Sequence, residues 1–584
     1  MFDVLETALA DSEYYAPFST VRDPGPRLGP GAVAEGWHRS ERDIWAFWSR
    51  PGLPEVEQGW KIHVSAQISR VQSVLDTVAE ACFSENVPFK HLATRRFYLF
   101  LHHKHAPRPQ TGKFCALYPP DTDTARRLLD RLADALDGEE GAYVLTDRHY
   151  RDSRTVHYRY GAFRGRGRLL PDGTQELLRR DMAAIMPPPA DLWARATAFY
   201  PSGPGLDPNT PTPDEVDADP TGCLARLSDR LAAGLLAMAD CDREAWVFPP
   251  PPTAFATNTV CVGYGTAGVV HALLRAGVAV PEAVEKRLRR DAVSLREELP
   301  PGLDAGVAGI ARVLAQLGHL DEANDLALLA ENHPLTASCA TLAGGRAGVG
   351  LLWLDLYRRT GDARALDRAV AAGDFIAQAS DLLPFLGARD ARGLFHGRSG
   401  LALFLHRLFE ETGVVRYLAA GSRLLHEELD RAMELPDGAL SFSDNAVVRR
   451  AMPYLGIGSA GVGTALTRYV HTEAACNERF AAALPRIVAD ADKPCAMESG
   501  LYAGLAGLAH FLTEHAALTG EPTDRERAVK VATGLLKYAV PHGDGVRFLG
   551  TGALRFSADL SSGSAGVLLT VRRILDGPGV DLFA

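Results

Sequence analysis

The chain has 584 residues, and 46% of them are hydrophobic. This length exceeds what one hydrophobic core supports, so we expect two to four domains. The formal net charge of −10 excludes a general electrostatic attraction to nucleic acid or anionic membranes. Any anion-binding site must therefore come from a local cluster of basic residues.

The N-terminal segment MFDVLETALADSEYY carries acidic residues where a signal peptide carries basic ones. No apolar run reaches the length of a membrane span. The eight cysteines show neither C-x-x-C spacing nor a neighbouring histidine. These features predict a soluble, cytoplasmic protein with neither a disulfide framework nor a recognisable zinc motif.

The first 170 residues mix strand-like and helix-like segments. Strand signals occur in KIHVSAQIS (61–69), RFYLFLHH (96–103), KFCALYP (113–119) and TVHYRYGAF (155–163). Apolar residues at three- and four-residue steps predict helices over 70–83 and 124–138. The segment order predicts an α+β domain, in which alternation places Lys61 and His63 on one strand face.

Two clusters of basic residues stand out against the acidic composition. Residues 85–113 hold six lysines and arginines against one acid, Glu85, and residues 148–168 hold seven arginines against Asp152. Such clusters are typical of a site for a phosphate dianion. Composition alone fits a solvated basic face or a nucleic-acid surface equally well.

The same part of the chain contains four motifs: QGWKIHVSA, VPFKHL, RPQTGKF followed by YPP, and TDRHY leading into YRYGAF. In this order they resemble the N-terminal lyase domain of class III lanthipeptide synthetases, which is itself similar to bacterial phosphothreonine lyases. The resemblance covers roughly residues 35–170. It implies elimination of phosphate from phosphoserine or phosphothreonine.

The resemblance also implies roles for individual residues. Lys90 corresponds to the general base that removes the Cα proton, and His63 to the acid that protonates the leaving phosphate. Asp147 corresponds to a residue that orients a cation. The implied phosphate contacts are Lys61, Lys113 and Arg159, with Arg108 and Arg166 as additional contacts. A lysine base needs a lowered pKa, which neighbouring cations provide.

Class III synthetases carry a protein kinase between their lyase and cyclase domains. Here residues 171–244 hold a Pro/Gly-rich linker and one predicted helix near 223–239, without G-x-G-x-x-G, H-R-D or D-F-G motifs. The resemblance therefore implies that a separate kinase phosphorylates the substrate in trans.

The second half contains a repeat. The pattern G-x-[small]-G followed by an apolar helix occurs seven times, 39 to 61 residues apart, with first glycines at 265, 306, 345, 397, 458, 504 and 563. Each interval accommodates two helices. Small residues at i and i+3 share a helix face and allow close packing, so the repeat predicts an all-α (α/α) toroid of seven helical hairpins with the glycine-bearing helices inside.

The seven copies, with G-x-x-H-G at the fourth (Gly393, His396, Gly397), resemble LanC-like lanthionine cyclases over residues 245–584. The family's zinc-dependent members carry a cysteine before the fifth glycine pair and Cys-His before the sixth. Gly456 and Tyr502-Ala503 stand in these places. As the resemblance implies for class III cyclase domains, we expect no metal and no cofactor.

His396 has two interpretations. The family's matching histidine is an acid or base, but Thr341 stands where its acidic partner is expected. In the other interpretation, His396 is a residue at the entry of a helix that forms a hydrogen bond with the backbone.

Together the two resemblances imply a phosphopeptide carbon–oxygen lyase joined to a zinc-independent lanthionine cyclase. Its substrate would be a precursor peptide phosphorylated on Ser or Thr by a separate kinase; no nucleic-acid or membrane partner is expected. One alternative is a kinase-less scaffold or precursor-binding subunit that works with a separate kinase. Another is an (α/α) glycosidase, which needs a carboxylate pair, whereas the loops before the glycines offer only Asp304 and Asp559 without an obvious pairing.

Overall fold

A computed structural model describes residues 27–162, except 43, 55, 57, 103–109 and 145–146, and residues 211–577, except 387–391 and 444–449. It also describes residues 7–8, 11 and 13–16. The contacts between Cα atoms divide the chain into two compact units. The first comprises Met1–Ala10 and Phe18–Gly205, and the second comprises Asp11–Pro17 and Leu206–Ala584.

The first unit contains a seven-stranded antiparallel sheet. Its strands are β1 (His38–Arg42), β2 (Trp45–Ser49), β3 (Gln58–Val64), β4 (Phe89–Leu92), β5 (Cys115–Leu117), β6 (Arg148–His149) and β7 (Val156–Ala162). Their order across the sheet is β1-β2-β4-β5-β3-β7-β6. Because β3 pairs with both β5 and β7, it lies between a strand that follows the first basic segment and a strand of the second.

Three helices accompany the sheet: α1 (Val71–Glu85), α2 (Arg95–Leu101) and α3 (Thr122–Ala135). Helices α1 and α3 contact each other, and α3 also packs on β3. The Asp121 carboxylate caps α3 by accepting the Thr124 N–H at 2.7 Å. The predicted mixture of strands and helices is therefore present in this unit.

The segment predicted as a strand over 96–103 is instead helix α2. Thr94 begins it, because its hydroxyl oxygen accepts the Phe97 N–H at 3.2 Å. Phe97, Tyr98 and Leu101 are buried, which is helical rather than alternating spacing. Tyr98 also donates its hydroxyl hydrogen to the Ala66 carbonyl. The aromatic residues gave a strand signal, but the cap and the tertiary packing decide the conformation.

The second unit is mainly helical. Its helices are α4 (Pro213–Ala218), α5 (Pro220–Ala237), α6 (Pro252–Ala256), α7 (Thr266–Arg275), α8 (Glu282–Leu295), α9 (Val307–Gln316), α10 (Leu320–Asn332), α11 (Pro334–Ser338), α12 (Arg346–Thr360), α13 (Ala363–Gln378), α14 (Arg398–Thr412), α15 (Val415–Leu429), α16 (Ser459–Val470), α17 (Glu478–Ala491), α18 (Leu505–Thr519), α19 (Pro522–Thr533) and α20 (Ser564–Asp576). Among these described helices, none combines the length and apolar character that crossing a bilayer demands.

This unit is not purely α-helical, contrary to the expectation of an all-α fold. A three-stranded antiparallel sheet contains β8 (Met433–Glu434), β9 (Leu440–Ser443) and β10 (Ala451–Met452), and a hairpin contains β11 (Val540–His542) and β12 (Gly545–Arg547). Short 3₁₀ turns occupy Leu383–Phe385, Gly534–Tyr538 and Thr551–Ala553. The small sheets lie in the longer intervals between repeats, which contain more residues than two helices and their loops require.

Seven helices, called the inner helices, each begin directly after the first glycine of a repeat: α7, α9, α12, α14, α16, α18 and α20. Each contacts the next one along the chain, and α7 also contacts α20. The contacts among the inner helices therefore close into a ring.

The outer helices pack on this ring. Helices α10, α13, α15, α17 and α19 each contact the inner helix that precedes them in sequence. The last inner helix, α20, is instead covered by α5, which comes before the first repeat. The helix predicted near 223–239 is thus part of the ring assembly, whereas the Pro/Gly-rich stretch before residue 211 lies outside the described residues.

The two glycines of a repeat have different roles. Gly504 is the N-cap of α18, and only Gly507 lies within the helix, so the two do not form one helical face as expected. A Cβ on Gly507 would lie 2.0 Å from the Leu501 carbonyl oxygen and 3.1 Å from Leu455 Cβ of the preceding repeat. The second glycine therefore permits the close approach of a loop to the helix, and Leu455 brings the neighbouring repeat into contact.

Backbone hydrogen bonds join the seven loops that precede the inner helices. In each repeat the residue two positions before the first glycine donates its N–H to the carbonyl of the equivalent residue in the next repeat, at 2.9 to 3.2 Å. The last of these residues donates to the first, so the circuit is closed. We call these seven residues the loop ring: Gly263, Asp304, Ala343, Phe395, Gly456, Tyr502 and Ser561.

Candidate active site

The register of the first sheet aligns the predicted site residues. Lys61 lies opposite Arg159 in the β3–β7 pair. His63 lies opposite Ala116 in the β3–β5 pair, and Lys90 lies opposite Ala116 in the β4–β5 pair. Because directly paired residues share a sheet face and side chains alternate along a strand, the four basic residues lie on one face.

Asp147 links two of these residues. Nδ1 of His63 forms a hydrogen bond with Oδ2 of Asp147, and Oδ1 of Asp147 lies 3.6 Å from Nε of Arg159. The Asp147 carboxylate is buried. Because a carboxylate only accepts hydrogen bonds, Nδ1 carries the imidazole proton and Nε2 is the second, basic nitrogen.

His63 is neutral at neutral pH in this environment. Burial, with smaller contributions from Lys113 and Arg159, lowers its pKa to about 4, although Asp147 opposes the shift. Desolvation disfavours the imidazolium more strongly than the carboxylate favours it. An additional negative charge is therefore required before His63 can hold a second proton.

Lys113, just before β5, lies among the other cations. Its side chain is 2% exposed. Burial lowers its pKa to about 8; Arg159, Lys61 and Lys90 contribute to the same shift, and Asp147 opposes it. Burial and Arg159 also lower the pKa of Lys61. We call the six residues the cationic cluster: Lys61, His63, Lys90, Lys113, Asp147 and Arg159.

Aromatic rings from β2 lie beside Lys90. Its Nζ is 4.2 Å from the ring centroid of Trp45 and 5.4 Å from that of Phe47. Arg42 on β1 also lies over Phe47, at 5.4 Å. Trp45, Phe47 and Arg42 are not among the site residues predicted from the sequence. The aromatic residues of WAFWS are a usable signal for a strand, although only the structure shows that this strand pairs with β4.

A second histidine group lies beside the cluster. His157 pairs with His63 across β3 and β7, and its ring centroid lies 4.3 Å from that of His149, with the two rings tilted by 48°. Burial lowers the pKa of His157 to about 3 and that of His149 to about 4. Tyr143 donates its hydroxyl hydrogen to the Asp147 carbonyl at 3.3 Å. The neutral rings of His157, His149 and Tyr143 lie next to the His63–Asp147 pair.

Two predicted phosphate contacts, Arg108 and Arg166, lie outside the described residues. The remaining lyase residues of the prediction belong to the cationic cluster. His396, by contrast, lies in the second unit, exposed at the loop before α14. Thr341 accepts the Gly344 N–H at 3.2 Å and touches the Cys339 thiol at 3.2 Å.

A cavity lies within the ring of inner helices. Its described lining includes Asp304, Ala343, Phe395 and Tyr502 of the loop ring, but not His396. His271, Arg312 and Gln316 line it from helices α7 and α9. Tyr502 donates its hydroxyl hydrogen to Oδ1 of Asp304 at 2.8 Å.

The residues at the family's zinc positions do not fit a zinc ion. Gly456 has no side chain, Ala503 has only a methyl group, and the Tyr502 hydroxyl is bonded to Asp304. A Cβ on Gly456 would lie 3.1 Å from Phe395 and 3.2 Å from the Tyr502 carbonyl, which is a crowded position. Within the described parts of both units, no three His, Cys, Asp or Glu residues form a group suited to a metal.

Sequence comparisons relate the chain to known proteins. The family model for the RamC N-terminal domain matches residues 27–199. A probable SapB synthase from Streptomyces coelicolor is 36% identical over 362 residues, which cover 60% of this chain but only 38% of that relative. The chain thus spans little more than a third of the length of this relative.

Solved structures are more distantly similar. Nisin cyclase has a TM-score of 0.43 at 14% identity, covering 60% of this chain and 93% of its own. The phosphothreonine lyase effector VirA from Chromobacterium violaceum has a TM-score of 0.20 at 19% identity, covering 31% and 92%. Of these similarities, the sequence matches are the stronger finding.

Proposed function

We propose that the chain eliminates phosphate from phosphoserine or phosphothreonine in a precursor peptide, which leaves dehydroalanine or dehydrobutyrine. The observation that carries the proposal is the cationic cluster, in which lysine, histidine and arginine side chains share one sheet face around a buried carboxylate. The similarity to the RamC N-terminal domain over residues 27–199 agrees with this chemistry.

Phosphate binding is the first step. Lys61, Lys113 and Arg159 provide charge-assisted hydrogen bonds to the dianion, and Asp147 keeps the Arg159 guanidinium in place. The cations lower one another's affinity for protons while the site is empty. Binding of the dianion relieves this repulsion, so the site favours a doubly charged phosphate over a neutral hydroxyl.

Elimination follows by acid–base catalysis. The Lys90 amine removes the Cα proton, the electrons of the Cα–H bond form the Cα–Cβ double bond, and the Cβ–O bond breaks towards phosphate. His63 Nε2 delivers a proton to the departing oxygen. His63 is neutral in the free protein; the bound dianion supplies the negative charge that raises its pKa, so that Nε2 takes up a proton from solvent before elimination.

The phosphorylated peptide is supplied by a separate kinase in our proposal, because residues 171–244 carry no kinase motif. We expect the reaction in the cytoplasm. We also infer that the second unit is a LanC-like (α/α) toroid, which the closed contacts of the inner helices support. Its reaction would be addition of a cysteine thiol to the dehydrated residue, forming lanthionine or methyllanthionine.

A second candidate is a scaffold that captures the precursor peptide for a separate kinase. The observation that favours it is the loss of all three family zinc ligands at Gly456, Tyr502 and Ala503. A scaffold would bind the peptide without changing its covalent structure, so product analysis separates the two candidates.

The test incubates the full chain with a synthetic phosphoserine peptide that contains one cysteine. Mass spectrometry follows the loss of phosphoric acid, and thiol alkylation follows the cysteine, because ring closure does not change the mass. We expect phosphate loss by the wild type. Peptide binding without any covalent change would contradict the proposal and favour the scaffold.

A further inference from the structure

Among the seven residues of the loop ring, Asp304 is the one that carries a carboxylate. The closed backbone circuit holds this residue at the same level as Phe395 and Tyr502, and all three line the cavity. Asp304 is partly buried as a residue and is part of the lining of the cavity.

Two phenols position this carboxylate. The Tyr502 hydroxyl donates to Oδ1 at 2.8 Å, and Tyr264 also forms a hydrogen bond with Asp304. The two tyrosine rings lie 6.4 Å apart. Tyr502 comes from the sixth repeat and Tyr264 from the first, so distant parts of the chain converge on one acidic group.

Asp559, another acid in the loops before the glycines, is arranged differently. It is 1% exposed. Its oxygens accept the hydroxyls of Ser557 and Ser561 at 2.5 and 2.6 Å, and the Ser562 N–H at 2.8 Å. Asp559 therefore stabilises its own loop, and Asp304 is the carboxylate that faces the cavity.

We propose that Asp304 is the catalytic residue of ring closure, accepting the proton of a cysteine thiol and returning it to the substrate. This inference rests on the proposed function of the second unit. The thiol sulfur forms a bond to Cβ of the dehydrated residue while its proton moves to Asp304. The alkene electrons shift towards Cα and the adjacent carbonyl, and Asp304 then delivers its proton to Cα, so no co-reactant is consumed.

The electrostatics of the cavity agree with this role. Burial and the charge of Asp559 raise the pKa of Asp304 to about 6, while the hydrogen bonds from Tyr502 and Tyr264 oppose the shift. Cys261 also interacts electrostatically with Asp304, and His271 and Arg312 line the same cavity. Asp304 is therefore ionised at neutral pH and is a stronger base than an ordinary carboxylate.

Because Gly456, Tyr502 and Ala503 stand in place of the family's zinc ligands, another group must activate the thiol. A thiol has an ordinary pKa near 8.5 and is a poor nucleophile until its proton is removed. His396 is exposed and does not line the described cavity, and Gly456 and Ala503 offer no titratable group. Asp304 is the carboxylate that the loop ring provides for this step.

The experiment uses the full chain and a synthetic peptide that already contains dehydroalanine and cysteine, which bypasses phosphate elimination. Protection of the thiol from alkylation measures ring closure, after subtraction of the rate without protein. We expect Asp304→Asn to slow closure by roughly 100-fold or more. The control variant Asp321→Asn, which replaces an exposed carboxylate at the start of α10, should catalyse ring closure at the wild-type rate.

Two further readouts separate chemistry from misfolding. Asp304→Asn should still eliminate phosphate from a phosphopeptide and should unfold at the wild-type temperature. Wild-type closure should rise with pH through about 6. In Tyr502→Phe the midpoint should move to higher pH, because the lost hydrogen bond no longer stabilises the carboxylate.

Closure by Asp304→Asn at the wild-type rate would overturn the inference. A wild-type chain that eliminates phosphate but never closes the ring would overturn it too, and would leave the elimination proposal standing. Ring closure without phosphate elimination would have the opposite meaning: it would contradict the elimination proposal and leave the role of Asp304 intact.

Discussion

His63 and Asp147 form a buried hydrogen bond between Nδ1 and Oδ2, although 84 residues separate them in the sequence. The pairing fixes the tautomer of His63 and leaves Nε2 as its second nitrogen. Several measurable consequences follow from this bond and from the contacts around it.

Asp147→Asn should lower phosphate elimination by at least about 10-fold. The amide cannot stabilise a protonated His63, and it no longer holds the Arg159 guanidinium by charge. Steady-state phosphate release should show the loss mainly in kcat. Elimination at the wild-type rate would mean that the carboxylate does not serve the reaction.

The histidines make stability pH-dependent. Their folded-state pKa values are about 4 for His63 and about 3 for His157, below the value of 6.5 for an unperturbed histidine. The native state therefore binds fewer protons than the unfolded state, and stability is fully present above pH 6.5 and decreases as the pH falls towards 4. We expect a loss on the order of a few kcal/mol over this window.

Denaturant unfolding between pH 7.5 and 4 would measure this dependence. His157→Phe removes one of the titrating rings and should flatten the curve. A stability that is constant over the window, or that rises as the pH falls, would show that the buried histidines do not remain neutral.

Trp45 should position Lys90. A cation–π contact at 4.2 Å is worth about 0.5–2 kcal/mol. Trp45→Leu should therefore lower kcat for elimination by about 2- to 30-fold and leave KM for the phosphopeptide nearly unchanged. Trp45→Phe retains an aromatic face and should restore much of the rate. Equal rates for the two variants would argue against a contribution from the ring.

The second glycine of each repeat should be essential for the ring. Gly507→Ala places a Cβ 2.0 Å from the Leu501 carbonyl oxygen, and we expect it to destabilise the second unit by about 1–3 kcal/mol or more. Gly344→Ala is the matched control, because its Cβ would meet nothing closer than 3.6 Å. Thermal unfolding of both variants tests this; equal melting temperatures would contradict the packing argument.

Local sequence patterns were sufficient to predict which strand residues share a face and where the inner helices begin. Alternation predicted that Lys61 and His63 share a strand face, and the register agrees. The repeated glycines marked where each inner helix begins, because the glycine is the N-cap. Both signals are local, since they depend on side-chain period and on the close approach of backbone atoms.

Features that depend on distant pairing were not predictable in this way. Nothing in WAFWS indicates that β2 lies beside β4, which brings Trp45 to Lys90. Tyr502 and Asp304 are 198 residues apart, and only closure of the ring brings them together. Helix α5 has an ordinary amphipathic pattern, yet it covers the last inner helix instead of serving as part of a linker.

The most direct test of the central claim is the release of inorganic phosphate from a phosphoserine peptide by the purified chain. The wild type should release phosphate, and Lys90→Ala should lose this activity by roughly 100-fold or more. Arg95→Ala, an exposed residue in the same basic segment but outside the cationic cluster, should retain it. Absence of release by the wild type, or equal release by Lys90→Ala, would contradict the account.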